Sequence, residues 1–128
     1  MTRRVIRTSP DPLAPYAISP GWQVGNLIFL SGQAAIDGDG NIVGAGDFDA
    51  QLAQTFDNIE RVLAAAEATL TDIVKVTIYL TDMAHFPKIV DARKRYFTEP
   101  WPADTIVEVS SLALPELMVE IDAIAARS

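Results

Sequence analysis

The sequence contains no cysteine and only one histidine, His85. Without cysteine the chain has no disulfide bond, no thiol nucleophile and no Cys-ligated zinc site, which fits a reducing compartment. A single histidine excludes a histidine-rich metal site. An all-oxygen metal site stays open as an alternative, built from Asp104, Glu108, Glu120 and Asp122. We nevertheless expect no bound metal.

Basic residues and long apolar runs are also scarce. Ten Lys and Arg residues stand against 17 Asp and Glu residues, which gives a formal net charge of −7. This balance disfavours nucleic-acid binding, because a phosphate-binding surface needs clustered basic side chains. No apolar run approaches the roughly 18 residues of a membrane-spanning helix. These features predict a soluble, cytoplasmic protein with neither a nucleic-acid nor a membrane partner.

The apolar content is sufficient for one globular domain over residues 1–128, because 49% of the residues are hydrophobic. Four prolines between residues 10 and 20 predict an extended loop pinned by Tyr16 and Trp22. Two helices and about six strands favour an α+β fold, with both helices on one face of a mixed sheet. The strand-like runs are residues 3–8, 27–30, 34–43 (as a hairpin), 73–80, 101–109 and 117–125.

The first helix has the clearest pattern. One apolar stripe runs along it at helical spacing, formed by Leu52, Phe56, Ile59 and Leu63. Asp47 or Asp49 is expected to cap its N-terminus. The opposite, polar face is predicted to carry Gln51, Asp57, Glu60 and Arg61. A second helix is predicted from about His85, with Pro87 in its first turn.

The two C-terminal runs, residues 101–109 and 117–125, alternate apolar and acidic residues. If these runs pair with each other, four carboxylates lie on one side of the sheet: Asp104, Glu108, Glu120 and Asp122. The sheet face not covered by helices is predicted to carry Tyr79, Ile106 and Met118. Apolar side chains on an uncovered face favour self-association.

Four blocks of the sequence carry a family resemblance: Pro15-Tyr16 before residues 25–33, then residues 54–59, 72–82 and 119–125. In order and spacing they resemble the RidA/YjgF reactive-intermediate deaminase family. The resemblance implies a chorismate-mutase-like α+β subunit that forms homotrimers with clefts between neighbours. It also implies hydrolysis of a small enamine or imine, such as 2-aminoacrylate, to ammonia and a 2-keto acid, without a cofactor.

The resemblance assigns roles to particular residues. It implies that Tyr16, Ser31, Gly32 and Gln33 bind substrate in the cleft and that Glu120 orients water or relays protons. Four of these residues have a structural alternative: Tyr16 packs on the proline loop, Ser31 caps a backbone group, Gly32 permits a strand bend, and Glu120 is a solvated strand residue. A ribonuclease activity is disfavoured by the acidic balance.

Asp104 is the main departure from the family pattern. Where the archetypal deaminases have an arginine that pairs with the substrate carboxylate, this segment reads Pro102-Ala103-Asp104. A unit ion pair at about 4 Å and an effective dielectric near 20 contributes roughly 4 kcal/mol, so the change of sign turns attraction into repulsion of that order. Ala14 and Val90 also differ from the family. Whether another arginine, such as Arg93 or a neighbour's Arg3 or Arg7, reaches the cleft stays open.

Two hypotheses follow. In the first, the protein is a Rid-type hydrolase or deaminase that does not act on 2-aminoacrylate itself. Its substrate lacks the carboxylate or is neutral or cationic, and Asp104 and Glu120 share proton transfer. In the second, it is a non-catalytic trimeric module that binds a metabolite. For Asp104 a local turn-capping role is the structural alternative.

Overall fold

The strands and helices of the protein are organised around a single six-stranded sheet. A computed structural model describes residues 2–127. Short 3-10 turns lie within the proline loop and directly before β4 and α2. In chain order the elements are β1 Arg3–Ile6, β2 Gly21–Val24, β3 Leu27–Ala34, α1 Phe48–Ala65, β4 Ile73–Leu80, α2 Phe86–Tyr96, β5 Ala103–Glu108 and β6 Val119–Ala126.

The sheet has the strand order β1-β2-β3-β6-β4-β5. All neighbours are antiparallel except β4 and β5, which are parallel. A parallel pair needs a crossover connection, and α2 provides it. Both helices contribute side chains to the core on one face, so the predicted α+β fold with a mixed sheet is confirmed. No helix within residues 2–127 is long and apolar enough to cross a membrane.

Helix α1 confirms the predicted apolar stripe, because Leu52, Phe56, Ile59 and Leu63 are all buried. Its cap is Asp47, whose carboxylate accepts a hydrogen bond from the amide of Ala50 at 3.1 Å. The prediction that Gln51 lies on the polar face was wrong. Gln51 is fully buried, and so is the neighbouring Thr55, because the side chains of both find partners inside the protein.

Helix α2 begins at Phe86, with Pro87 in its first turn as predicted. Ile89 and Ala92 point into the core, and the ring of Tyr96 stacks on Phe56 with centroids 4.0 Å apart. A second row, containing Phe86 at 38% exposure, faces a cavity beside β5. The predicted stripe of α2 is therefore divided between the core and a cavity wall.

The N-terminal third corrects two predictions. Trp22 lies in β2, a strand between β1 and β3 that was not predicted and that begins directly after the proline loop. The hairpin expected at residues 34–43 shrinks to one bridge between Ile36 and Ile42. The intervening loop instead closes around Asp37, whose carboxylate accepts the amides of Asp39 and Asn41.

The two C-terminal runs do not meet the condition of pairing with each other, because β4 lies between β5 and β6. Asp104 is opposite Val76 of β4, so it projects toward the helices. Glu120 is opposite Tyr79, on the other face of the sheet. Glu108 accompanies Asp104, and Asp122 accompanies Glu120. The prediction that Ile106 lies on the face without helices was wrong, because Ile106 is opposite the core residue Ile78 on the helix side. The four carboxylates thus form two pairs on opposite faces.

Candidate functional site

Five of the six predicted site residues line one cavity of about 370 Å³. They are Tyr16, Ser31, Gly32, Gln33 and Glu120. The remaining wall is mostly apolar and comes from the proline loop and from Ala113, Leu114 and Leu117. A concave, largely apolar site with a few polar groups is typical of small-molecule binding. We name it the Glu120 cavity.

A β-bulge in β3 shapes this cavity. Leu30 is opposite Ala123 and Gln33 is opposite Ile121, so β3 has one residue more than β6 between these pairs. Such a bulge bends the strand and redirects its side chains. The extra residue falls at Ser31–Gly32, where the strand meets the cavity.

The hydrogen bonds of Ser31 and Gln33 hold the bulge in place. The Ser31 hydroxyl donates to the carbonyl of Ser19 at 2.5 Å, and the Ser31 amide donates to the carbonyl of Pro20 at 3.0 Å. The buried Gln33 side chain donates its amide to the Ser31 carbonyl at 3.1 Å. Ser31 therefore has the backbone-capping contact that its structural alternative describes, while it also lines the cavity.

Gly32 lets the Glu120 carboxylate lie against the β3 backbone. A Cβ atom built on Gly32 would lie 2.9 Å from Cδ of Glu120 and closer still to one carboxylate oxygen. Real Cβ atoms do not approach other heavy atoms so closely. Only glycine at position 32 is compatible with this placement of Glu120.

Burial, and secondly the negative charge of Asp122, raise the pKa of Glu120 above its usual range. Asp122 in turn accepts a hydrogen bond from the Tyr79 hydroxyl at 3.0 Å, which is the main reason that the pKa of Tyr79 is raised. Glu120 is thus suited to exchange a proton closer to neutral pH than an exposed glutamate.

The raised pKa of Glu120 predicts a pH-dependent contribution to stability. The folded state binds the proton more tightly than the unfolded state. The free energy of unfolding therefore falls as pH rises from the ordinary glutamate range through the raised pKa. At pH values above this range we expect Glu120→Gln to have a higher Tm than wild type. At pH values below the range this difference should disappear. Melting curves across pH test this, with the exposed Glu60→Gln as control. An offset that does not vary with pH would contradict it.

Tyr16 stands at the mouth of the cavity and is 50% exposed. It ends the 3-10 turn Ala14–Tyr16, and the following Ala17 has a left-handed φ of 60°. The Tyr16 amide donates to the carbonyl of Leu13 at 3.0 Å. The turn is thus held by backbone contacts, and the Tyr16 side chain stays accessible to a ligand.

The sequence reasoning missed two buried amides that build the cavity wall. Gln51 donates to the carbonyl of Glu116 at 2.8 Å and accepts the amide of Met118 at 2.8 Å, which fixes the loop before β6. Asn58 donates to the carbonyls of Ala34 and Ile36, both at 2.8 Å. Gln51 and Asn58 are seven residues apart, so they lie on the same face of α1, beside the apolar stripe. This spacing was the signal in the sequence that both side chains face the protein interior.

Asn58→Ala is expected to lower the free energy of unfolding by about 2 to 4 kcal/mol, because two buried carbonyls lose their donor. Urea denaturation measures this change. Gln54→Ala is the matched control, since Gln54 makes one hydrogen bond to the Asn58 carbonyl oxygen, at 2.9 Å. Equal losses for the two variants would show that the Asn58 contacts do not stabilise the fold.

Asp104, the sixth predicted residue, does not reach the Glu120 cavity. It forms a bidentate ion pair with Arg93 of α2, with Nε to Oδ2 and Nη2 to Oδ1 both at 2.9 Å. The Arg93 and Asp104 side chains are 26% and 19% exposed, although Asp104 as a residue is exposed on the edge strand β5. That Asp104 shares proton transfer with Glu120 stays a prediction, and it requires a second subunit. Among residues 2–127, no three His, Asp or Glu side chains gather to hold a metal ion.

The fold and the Glu120 cavity define a small α+β domain of the kind that processes small molecules. The chain belongs to the RidA/YjgF family, whose model, described as Endoribonuclease L-PSP, matches residues 6–127. A RutC family protein of Pyrococcus abyssi is 40% identical over 127 residues, 98% of each chain. The 2-iminobutanoate/2-iminopropanoate deaminase of Dermatophagoides farinae is 36% identical over 124 residues, 95% of this chain and 94% of that one.

A solved structure agrees with these relatives. The crystal structure of YyfA from Yersinia pestis, a Rid-family protein of unknown function, superposes with a TM-score of 0.90 at 34% identity. The match covers 98% of this chain and 100% of that one.

Proposed function

We propose that this protein is a Rid-family hydrolase or deaminase that acts on a small enamine or imine, with Glu120 as its acid–base group. The observation that carries the proposal is the Glu120 carboxylate lying against Gly32 inside a ligand-sized cavity. The deaminase name of the Dermatophagoides relative supports this reaction class. The family description names an endoribonuclease, but a chain with net charge −7 is poorly suited to bind a polyphosphate backbone.

The proposed reaction needs one water molecule and two proton relays through Glu120, each from an oxygen to the nitrogen. Glu120 takes a proton from water as the water oxygen bonds to the imine carbon and passes it to the nitrogen, which yields a carbinolamine. Glu120 then takes the proton of the new hydroxyl as the carbonyl forms and passes it to the amino group, so that the C–N bond breaks and ammonia leaves. The same carboxyl group serves as base and then as acid, and its raised pKa favours both roles.

We further infer that the working site is a cleft between subunits of a homotrimer. Glu120 and Asp104 lie on opposite faces of one sheet, so one small substrate meets both only if two subunits contribute. The face without helices exposes Trp22, Phe29 and Val107, which supports self-association. An acid at position 104 does not bind a carboxylate itself, so 2-aminoacrylate is not bound as in the archetypal deaminases.

One observation favours the second candidate, a non-catalytic trimer that binds a metabolite. The Ser31 hydroxyl and the Asp104 carboxylate both already have partners within the protein, which leaves fewer groups for chemistry. Ammonia release from imines generated in situ by an amino-acid oxidase separates the candidates. Acceleration that depends on Glu120 supports the enzyme, and ligand binding without acceleration supports the binding module.

A further inference from the structure

A second cavity of about 470 Å³ lies between α2 and β5, on the helix side of the sheet. We name it the Arg93 cavity. Its walls are largely aromatic and aliphatic, from Phe86, Val90, Trp101 and Ile106. The volume is in the range of small-ligand pockets, which runs from about 300 to 1,000 Å³. The Glu120 cavity shares none of these residues.

The Arg93–Asp104 ion pair is the polar part of this wall. Asp104 engages Nε and Nη2 of Arg93, whereas Nη1 has no acceptor among residues 2–127. A guanidinium carries five N–H groups in a planar fork, so donors remain for a second acceptor. The guanidinium carbon also lies 5.7 Å from the centre of the Phe86 ring, which limits where the fork can move.

The charges of the Arg93 cavity favour an anion. Arg93 and Lys94 line it against the single carboxylate Asp104, so the local balance is positive in a chain of net charge −7. An ion pair on an open surface contributes little to stability. Here both side chains are mostly covered, the geometry is bidentate, and the pair borders a cavity with apolar walls. This arrangement presents a pre-oriented guanidinium to a ligand.

We propose that Arg93, held in orientation by Asp104, binds the carboxylate of the substrate in this protein. The proposal rests on the function and the cleft between subunits proposed above, because Arg93 and Glu120 of one subunit line different cavities and only Arg93 of a neighbouring subunit would meet the substrate at Glu120. It names the substrate class as a monocarboxylate with an apolar side chain that the walls of the Arg93 cavity accept. Asp104 is then a positioning residue. The proposal also revises the expectation that the substrate lacks a carboxylate, because the guanidinium that would bind it comes from Arg93 of α2 instead of from position 104.

Isothermal titration with 2-oxobutanoate and its uncharged amide tests the proposal. Wild type is expected to prefer the acid, and Arg93→Gln is expected to weaken acid binding by about 10-fold to 100-fold, the loss typical of a charged hydrogen bond. Amide binding should not change. Arg95→Gln, an exposed arginine on the same helix outside this cavity, is the control. Arg93→Lys should restore part of the affinity, because it keeps the charge without the fork.

Three results would overturn the proposal: no binding of either probe by wild type, equal affinity for acid and amide, or unchanged acid binding in Arg93→Gln. If Arg93→Gln does not fold, Arg93→Lys keeps the positive charge beside Asp104, and it should still lower acid affinity relative to wild type because an ammonium lacks the bidentate fork. Steady-state turnover separates this inference from the proposed function. If the protein hydrolyses an imine with a KM that Arg93→Gln does not change, only the proposed role of Arg93 is contradicted. If acid binding depends on Arg93 but no imine is hydrolysed, only the proposed enzymatic activity is contradicted.

Discussion

Glu120→Gln is expected to lower kcat for imine hydrolysis by about 100-fold to 10,000-fold, the usual contribution of a positioned acid–base group. Glutamine has the size of glutamate and fits beside Gly32, but it cannot take a proton from water. The cavity and the sheet should persist, because Glu120 makes no hydrogen bond that holds the bulge in β3. Ammonia release under saturating substrate measures the change.

Glu60→Gln is the matched control for this variant, since Glu60 is exposed on α1 and outside the Glu120 cavity. It should retain the wild-type rate. If Glu120→Gln also retains that rate while its melting temperature shows an intact fold, Glu120 is not the acid–base group. The carboxylate would then be a partly buried strand residue, as its structural alternative describes.

Gly32→Ala is expected to lower kcat by about 100-fold, because displacement of a catalytic group by roughly 1 Å can have that effect. The added Cβ would overlap the end of the Glu120 side chain. That side chain is flexible, so the variant should fold while the carboxylate moves away. Rates measured beside thermal melts test both parts of this expectation.

A double-mutant cycle sharpens the Gly32 prediction. If Gly32 acts only through Glu120, Gly32→Ala combined with Glu120→Gln should be no slower than Glu120→Gln alone. Additive losses would show that Gly32 serves the reaction by another route, such as close approach of its backbone to the substrate. A large fall in the Tm of Gly32→Ala would instead indicate that the bulge itself does not tolerate a side chain.

The grouping of Tyr16, Ser31, Gly32, Gln33 and Glu120 in one cavity agrees with the residues that the family resemblance singled out. Composition and periodicity do not lead to this group, because its members come from the proline loop, β3 and β6. Gln51 shows the limit of pattern reading. It was assigned to solvent as a polar residue, yet its amide is buried and holds the loop that closes the cavity.

Asp104 shows a second limit. From the sequence, an acid in the place of an arginine implied repulsion of a substrate carboxylate. The structure gives that acid a bidentate partner on α2, eleven residues earlier in the chain. A paired carboxylate repels a substrate carboxylate less than an unpaired one does. Its partner offsets the negative charge and occupies both carboxylate oxygens with hydrogen bonds.

Local periodicity was enough to identify α1, β4 and the alternation of β5 and β6, because these patterns depend on neighbours a few residues apart. Alternation shows which residues share one side of a strand, but not which face of the sheet that side becomes. That choice depended on β4 inserting between β5 and β6 and on the crossover through α2. These contacts join distant segments, so only the tertiary structure separated Asp104 from Glu120 and placed Arg93 beside Asp104.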